Sequence, residues 1–107
     1  MQDPNLKNQL NQFFGEKEEN ILRASFALKV MAHPDRLKIL CVLRAGEQTV
    51  NDLIWYTGLN QSTMSQHLNK LKTCNVLKSR REGNCIYYML ASEQMVEFFE
   101  MIKEIYC

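Results

Sequence analysis

The amino-acid sequence predicts a mostly α-helical fold with one β-hairpin, in the element order α-α-α-α-β-β-α. Apolar residues recur at helical spacing in several segments, and two strand-like runs lie between the fourth helical segment and the last one. The chain has 107 residues, a length typical of one domain. We expect residues 1–15 to be an N-terminal tail or a short helix and residues 16–107 to form the folded domain.

The first two helices of the domain are predicted from an apolar stripe and a proline. The stripe in residues 16–31 is broad enough to pack against another helix. Pro34 suits the first position of the second helix, since a helix start leaves that N–H without a partner, and Ala45-Gly46 ends this helix. The positions of the second helix that we expect to face inward are Leu37, Leu40, Cys41 and Leu43.

The third and fourth helices form a predicted helix-turn-helix. Thr49 and Asp52 are spaced as a weak capping box for a short third helix. Asn60 can cap a fourth helix that runs to Thr73. Only a few residues centred on Gly58 join the two helices, as in a helix-turn-helix motif.

A hairpin and a last helix complete the domain. Val76–Arg81 and Asn84–Leu90 are strand-like runs separated by Glu82-Gly83, a short turn typical of a hairpin. Ser92 caps an amphipathic helix that continues to the end of the sequence. A helix-turn-helix followed directly by a hairpin predicts a winged helix-turn-helix.

Charge is distributed unevenly along the chain, although the net charge is only +1. Residues 60–90 carry five lysines and arginines against one glutamate, whereas residues 92–107 carry four glutamates against one lysine. The first of these segments is suited to meet phosphate. No apolar stretch long enough to cross a bilayer and no signal peptide is visible, so we expect a cytoplasmic protein that does not contact membranes.

Candidate DNA-contacting residues lie at the start of the fourth helix and on the hairpin. A helix that enters the major groove needs short polar side chains near its N-terminus, and hairpin cations can follow the phosphate backbone. Capping also favours polar helix starts, and charged edge strands prevent aggregation, so both alternatives stay open at this point. The candidates are Gln61, Ser62, Thr63, Ser65, Gln66, His67, Lys70, Arg80, Arg81 and Asn84.

These segments together resemble the ArsR/SmtB family of winged-helix repressors. The resemblance rests on NQSTMSQHL and the residues that follow it in the fourth helix, on SRREG and YYML in the hairpin, and on MAHPDRLKIL at the second helix. It implies a repressor that binds double-stranded operator DNA with an inverted repeat, as a homodimer joined through the first and last helices. Cys74-Asn75 departs from the small residue plus glycine that is more usual there.

The four cysteines show no Cys-x-x-Cys spacing, which argues against a zinc finger and, since no paired base is evident, against a thiol enzyme. A structural disulfide framework is not expected in the cytosol. Many members of the family sense metals through cysteines in the third helix or through histidines and carboxylates in the last helix. This sequence has neither, so we expect no metal at those positions and no cofactor.

Cys41 and Cys107 look like the cysteine pair of the persulfide-sensing branch of the family, the BigR, SqrR and HlyU type. That resemblance implies that organic or inorganic persulfides or polysulfides act as inducers, bridge the two cysteines through extra sulfur and release the operator. Other interpretations stay open: a repressor that responds to arsenite or a thiophilic metal, a general thiol-oxidation sensor, or a Cys41 that only fills the core. Cys74 and Cys85 match no sensing position.

Two charged neighbours of Cys41 suggest an order of reaction. Lys38 and Arg44 lie about one helical turn from Cys41 and would favour its thiolate. The chain's own carboxylate at Cys107 would oppose a thiolate there unless the native chain extends further. We therefore expect Cys41 to attack the sulfur donor first and Cys107 to resolve the product.

Overall fold

The computed structural model describes residues 1–15 and 17–107. In chain order the elements are α1 (Pro4–Phe14), α2 (Glu18–Met31), α3 (Pro34–Leu43), β1 (Gln48–Thr49), α4 (Val50–Thr57), α5 (Gln61–Thr73), β2 (Leu77–Glu82), β3 (Cys85–Leu90) and α6 (Glu93–Tyr106). This arrangement confirms the predicted mostly α-helical fold with a hairpin. The predicted start of the first domain helix, residue 16, lies outside the described residues.

The N-terminal segment is helical in this structure. Asp3 caps α1 by accepting a hydrogen bond from the Asn5 backbone N–H, and Pro4 occupies the first helical position. Gly15 ends the helix with a positive φ of 82°. None of the residues of α1 is buried, so this helix adds nothing to the core of the chain itself.

Side-chain caps set the starts of the helices that carry the motif. Thr49 and Asp52 make both hydrogen bonds of the predicted capping box at α4. Asn60 Oδ1 accepts from the Thr63 N–H at 2.8 Å and begins α5, as predicted. The end of α5 is also as predicted, because Asn75 adopts the left-handed conformation, with φ 59°.

One prediction about α3 is wrong. Leu40 and Leu43 are buried as expected, but Leu37 and Cys41 are exposed, and Ile39 is buried in their place. Only one side of α3 is covered, and the covered stripe includes positions 39, 40 and 43. The side chains that form the core are Val30, Met31, Ile39, Leu40, Leu43, Leu53, Met64, Leu68, Leu71, Val76, Leu77, Leu90 and Phe99.

The sheet has three antiparallel strands in the order β1-β3-β2. Glu82 pairs with Cys85, so the turn is Gly83-Asn84 and not the predicted Glu82-Gly83. Gly83 has φ 61°, the conformation that two-residue hairpin turns require. The sequence analysis missed β1, because a strand of two residues shows no alternation that could reveal it.

Helix α6 packs on β3 and is also tied to the end of α3. The Arg44 guanidinium, just after α3, donates to Glu100 of α6 at 2.8 Å. Helix α5 packs against α2, α4 and β2, so the exposed side of α5 and the hairpin form one surface. Among the described residues, every helix is too short or too polar to span a lipid bilayer.

Candidate nucleic-acid interface

The exposed face of α5 presents most of the polar residues predicted to read DNA. Met64, Leu68 and Leu71 are buried and hold the helix on the core. This division between an anchored face and a polar face is the one that a major-groove helix needs. The structure exposes Gln61, Ser62, Ser65, Gln66 and Lys70 and leaves Thr63 half-buried. Their contact with DNA stays a prediction.

His67 does not belong to this exposed face, and its burial argues against the predicted contact with DNA. Its side chain is only 7% exposed. The His67 Nδ1 atom accepts a hydrogen bond from Arg36 Nε at 3.1 Å. Position 67 follows Met64 by three residues and precedes Leu71 by four, so the helical period places it on the buried stripe. The helical spacing alone therefore predicts that position 67 is buried, whereas the polar side chain of histidine suggested exposure.

The environment of His67 favours the neutral ring. Burial, followed by the nearby charges of Arg36 and His33, lowers the pKa of His67 below 6.5. Because Nδ1 accepts from Arg36, Nε2 carries the hydrogen. This Nε2 is buried, has no hydrogen-bond partner in residues 1–15 and 17–107, and lies 3.9 Å from the Asp35 carboxylate.

His33, Asp35 and His67 place three potential metal ligands within 4.8 Å of one another. The hydrogen bonds argue against a cation at this cluster. His33 Nδ1 accepts from the Asp35 N–H, and His67 Nδ1 accepts from Arg36. Both Nε2 atoms therefore carry hydrogens in the neutral rings, and neither offers a lone pair to a metal. We interpret the cluster as a structural link between α3 and α5.

The hairpin cations lie on opposite faces of β2. Side chains alternate along a strand, so Arg80 and Arg81 point in opposite directions. Ser79, on the same face as Arg81, accepts a hydrogen bond from Lys72 of α5 at 2.8 Å. Arg81 is thus exposed on the side of the sheet that faces α5. Asn84 is exposed at the tip of the turn.

Arg80, a predicted DNA-contacting residue, is paired within the chain. Its guanidinium donates to both oxygens of Glu47, at 2.9 and 2.5 Å, and to Glu82 at 2.8 Å. It also lies 4.5 Å from the centre of the Tyr87 ring. The hydrogen bond from Arg80 lowers the pKa of Glu47. Arg80 therefore joins the loop before β1 to the hairpin.

A cleft between α5 and the hairpin contains residues that the sequence analysis missed. Asn69 and Lys72 lie one and two turns after Ser65, on the same side of α5. Among the described residues, no acidic side chain lines the cleft, which suits it to a phosphate backbone. The residues that line it are Ser65, Gln66, Leu68, Asn69, Lys72 and Tyr88.

The four cysteines are free thiols, and Cys41, Cys85 and Cys107 are exposed. Cys74 is half-buried, and burial raises the pKa of its thiol. Arg44, which was expected to favour a Cys41 thiolate, instead binds Glu100. In the described part of the chain, the one group of three or more clustered potential metal ligands contains no cysteine.

Comparison with known proteins identifies relatives of this chain. Residues 33–79 match a family described as "Bacterial regulatory protein, arsR family". The chain is 36% identical over 92 residues to the transcriptional activator HlyU of Vibrio cholerae. The aligned region covers 86% of this chain and 85% of that protein. The HlyU structure matches with a TM-score of 0.78 at 35% identity and covers 85% of this chain and 99% of the other.

Two further solved structures are similar. The transcriptional repressor BigR from Xylella fastidiosa matches with a TM-score of 0.75 at 30% identity, covering 84% of this chain and 92% of that one. A homodimeric winged helix-turn-helix DNA-binding domain from Mycobacterium bovis matches with a TM-score of 0.73 at 28% identity, covering 97% of this chain and 86% of the other. These likenesses confirm the winged helix-turn-helix fold.

Proposed function

Because this chain belongs to the arsR family of bacterial regulatory proteins and is a DNA-binding transcription regulator, we propose that it is a repressor that reactive sulfur species release from DNA. Cys41 and Cys107 are the proposed sensor thiols, and organic or inorganic persulfides and polysulfides are the proposed inducers. The relatives are transcription regulators, not enzymes. We therefore expect the thiol reaction to modify the protein as a signal and not to turn over a substrate.

The observation that carries this proposal is the ion pair between Arg44 and Glu100, which joins the helices bearing the two thiols. Cys41 precedes Arg44 by three residues and Cys107 follows Glu100 by seven. These separations correspond to about 4.5 and 10.5 Å along the helix axes. Both thiols are exposed, as attack on a dissolved sulfur donor requires.

The chemistry can proceed without a metal or an added oxidant. The Cys41 thiolate first takes the outer sulfur of a persulfide RSSH, which gives a protein persulfide and the thiol RSH, and Cys107 then reacts in the same way with a second RSSH. The terminal sulfur of one protein persulfide then attacks the inner sulfur of the other, and HS⁻ leaves. The product is a trisulfide between Cys41 and Cys107, with one added sulfur and two hydrogens lost. Two donor molecules are consumed: one of the two transferred sulfurs stays in the bridge, and the other is reduced and departs as sulfide.

A homodimer would relate this bridge to DNA binding. We propose that two chains associate through α2 and α6, which expose apolar side chains such as Leu22, Met101 and Ile105. The two copies of α5 would then read an inverted repeat, with centres about 34–36 Å apart. A bridge between α3 and the end of α6 would change the geometry of that dimer. It would therefore also change the distance between the two copies of α5, which are the two DNA-reading helices.

The test exposes the reduced protein, without oxygen, to an organic persulfide, with hydrogen peroxide in parallel. Intact mass and peptide mapping should show a sulfur-containing bridge between Cys41 and Cys107. Binding to an operator duplex, obtained by in vitro selection on the reduced protein, should fall at the same time. Cys41→Ser and Cys107→Ser should each abolish the bridge and the release.

Cys85→Ser is the matched control, since Cys85 is also exposed but lies at the hairpin. This variant should respond like the native protein. An unchanged operator affinity in the bridged protein would contradict the proposed signal. If peroxide gave an equally effective product, the protein would be a general thiol-oxidation sensor, and if arsenite alone released DNA, it would be a thiophilic-ion sensor.

A further inference from the structure

A groove between α2 and α5 shares Asn69 and Lys70 with the residues assigned to DNA. Its volume is about 410 Å³. Phe26 and Val30 supply apolar surface, and Lys29, Arg36 and Lys70 supply three cations. Asn69 and Thr73 complete the lining, so that in the described part of the chain no carboxylate lines the groove to balance the positive charge.

Arg36 is the unusual member of this groove. Its side chain is half-buried and donates to two neutral acceptors, His67 Nδ1 at 3.1 Å and the Val30 carbonyl at 3.0 Å. Among residues 1–15 and 17–107, it makes no ion pair with a carboxylate. Removing a charge from water is costly, and an anion nearby offsets that cost. This guanidinium therefore lacks the counter-charge that its position calls for.

We propose that the groove binds a small organic carboxylate that carries an apolar chain. The carboxylate would pair with Arg36, whose planar guanidinium suits a carboxylate, and with Lys29 and Lys70 at the rim. The apolar chain would lie against Phe26 and Val30 and remove their surface from water. The volume lies within the range typical of small-ligand sites, which is about 300–1,000 Å³.

Such a ligand would contact the helix that carries the DNA interface. Asn69, Lys70 and Thr73 of α5 line the groove, and Arg36 also holds His67 of the same helix. The site uses none of the cysteines, so the inference goes beyond the proposed thiol sensing and stands independently of it. A carboxylate on Arg36 and a bridge between Cys41 and Cys107 would be two separate inputs to one protein.

The test uses the reduced full-length protein and sodium octanoate below its micelle concentration. Calorimetry should show one site per chain, and amide NMR shifts should centre on residues 26–30 and 69–73. Octanamide lacks the charge and acetate lacks the chain. Each should bind about tenfold more weakly or worse, the ratio expected when a charge-assisted hydrogen bond or a buried apolar chain is lost.

Variants of the exposed residues Lys29 and Phe26 keep the test independent of folding, whereas Arg36 is half-buried. Lys29→Gln and Phe26→Ala should each weaken octanoate binding several-fold, and Arg36→Gln should weaken it more. Lys78→Gln is the matched control, because Lys78 lines a different groove, beside Arg44 and Glu47. This control should bind octanoate like the native protein.

Three outcomes would overturn the proposal. The first is no binding at millimolar octanoate, as expected if a second copy of the chain covers Phe26. The second is equal affinity for octanoate and octanamide, which would show that the cations do not take part. The third is a loss in Lys78→Gln as large as that in Lys29→Gln, which would place the ligand in the other groove.

Discussion

At the scale of single residues, His67 links the stability of the fold to pH. Its pKa in the folded chain lies below 6.5, chiefly because the ring is buried. The unfolded chain therefore takes up more protons as the pH falls below 6.5. This contribution to stability is complete above that pH and is lost as the pH falls through the folded-state pKa. Protonation of Nδ1 would also remove the hydrogen bond from Arg36.

We expect the urea concentration at the unfolding midpoint of the native protein to decrease as the pH is lowered from about 7 to about 5, the range in which histidine titrates. His67→Leu should be less stable at neutral pH by about 1–3 kcal/mol, because Arg36 loses its acceptor. The variant should also show a flatter dependence on pH. Urea unfolding curves at several pH values measure both effects, and parallel curves for the two proteins would contradict the role assigned to His67.

The two neighbouring arginines of β2 should differ in their effect on DNA binding. Arg80 is neutralised by Glu47 and Glu82, whereas Arg81 makes no ion pair within the described residues. Arg81→Gln should therefore weaken binding to DNA of any sequence and reduce the salt slope by about 1, whereas Arg80→Gln should change the slope less. Binding measured across a series of salt concentrations distinguishes the two. Equal slopes for both variants would show that Arg80 leaves its carboxylates to bind phosphate.

At the scale of elements, the position of Lys72 in the cleft between α5 and the hairpin predicts that this side chain contacts the phosphate backbone of DNA. The Lys72 ammonium reaches Ser79 across the cleft and faces no acidic side chain there. Lys72→Gln should weaken binding by a similar factor on specific and unrelated duplexes and reduce the salt slope by about 1. Lys7→Gln in α1 removes the same charge elsewhere and should leave the slope unchanged. A loss confined to one DNA sequence would instead assign Lys72 to base reading.

The sequence predicted elements better than it predicted contacts. Helix starts at Thr49 and Asn60 follow from short-range capping, which neighbouring residues determine. The pairing of Arg80 with Glu47 joins residues 33 positions apart, and local patterns contain no information about it. The same limit applies to Cys41, since a helical period shows which residues share a stripe but not which stripe the rest of the chain covers.

At the scale of the whole molecule, the exposed apolar residues of α6 indicate an association surface. Met101 is 57% exposed and Ile105 is 63% exposed, one helical turn apart. Exposed apolar patches of this kind commonly mark protein interfaces. Trp55 of α4 is 80% exposed but lies in the helix-turn-helix, away from α6 in the sequence. An apolar-to-glutamate substitution should therefore change the oligomeric state when it is made in α6 but not when it is made at Trp55.

We expect the native protein to be a dimer in solution and Met101→Glu or Ile105→Glu to shift it toward monomer, because a buried carboxylate in an apolar interface lacks a partner. Sedimentation equilibrium measures this shift directly. Operator affinity should fall with it, since one chain can read only half of an inverted repeat. Trp55→Glu, the matched apolar-to-acidic change, should leave the mass in solution unchanged. If Trp55→Glu were monomeric and Met101→Glu stayed dimeric, the interface would lie on α4 and not on α6. The proposed coupling between the bridged thiols and the two DNA-reading α5 helices would then lose its physical basis.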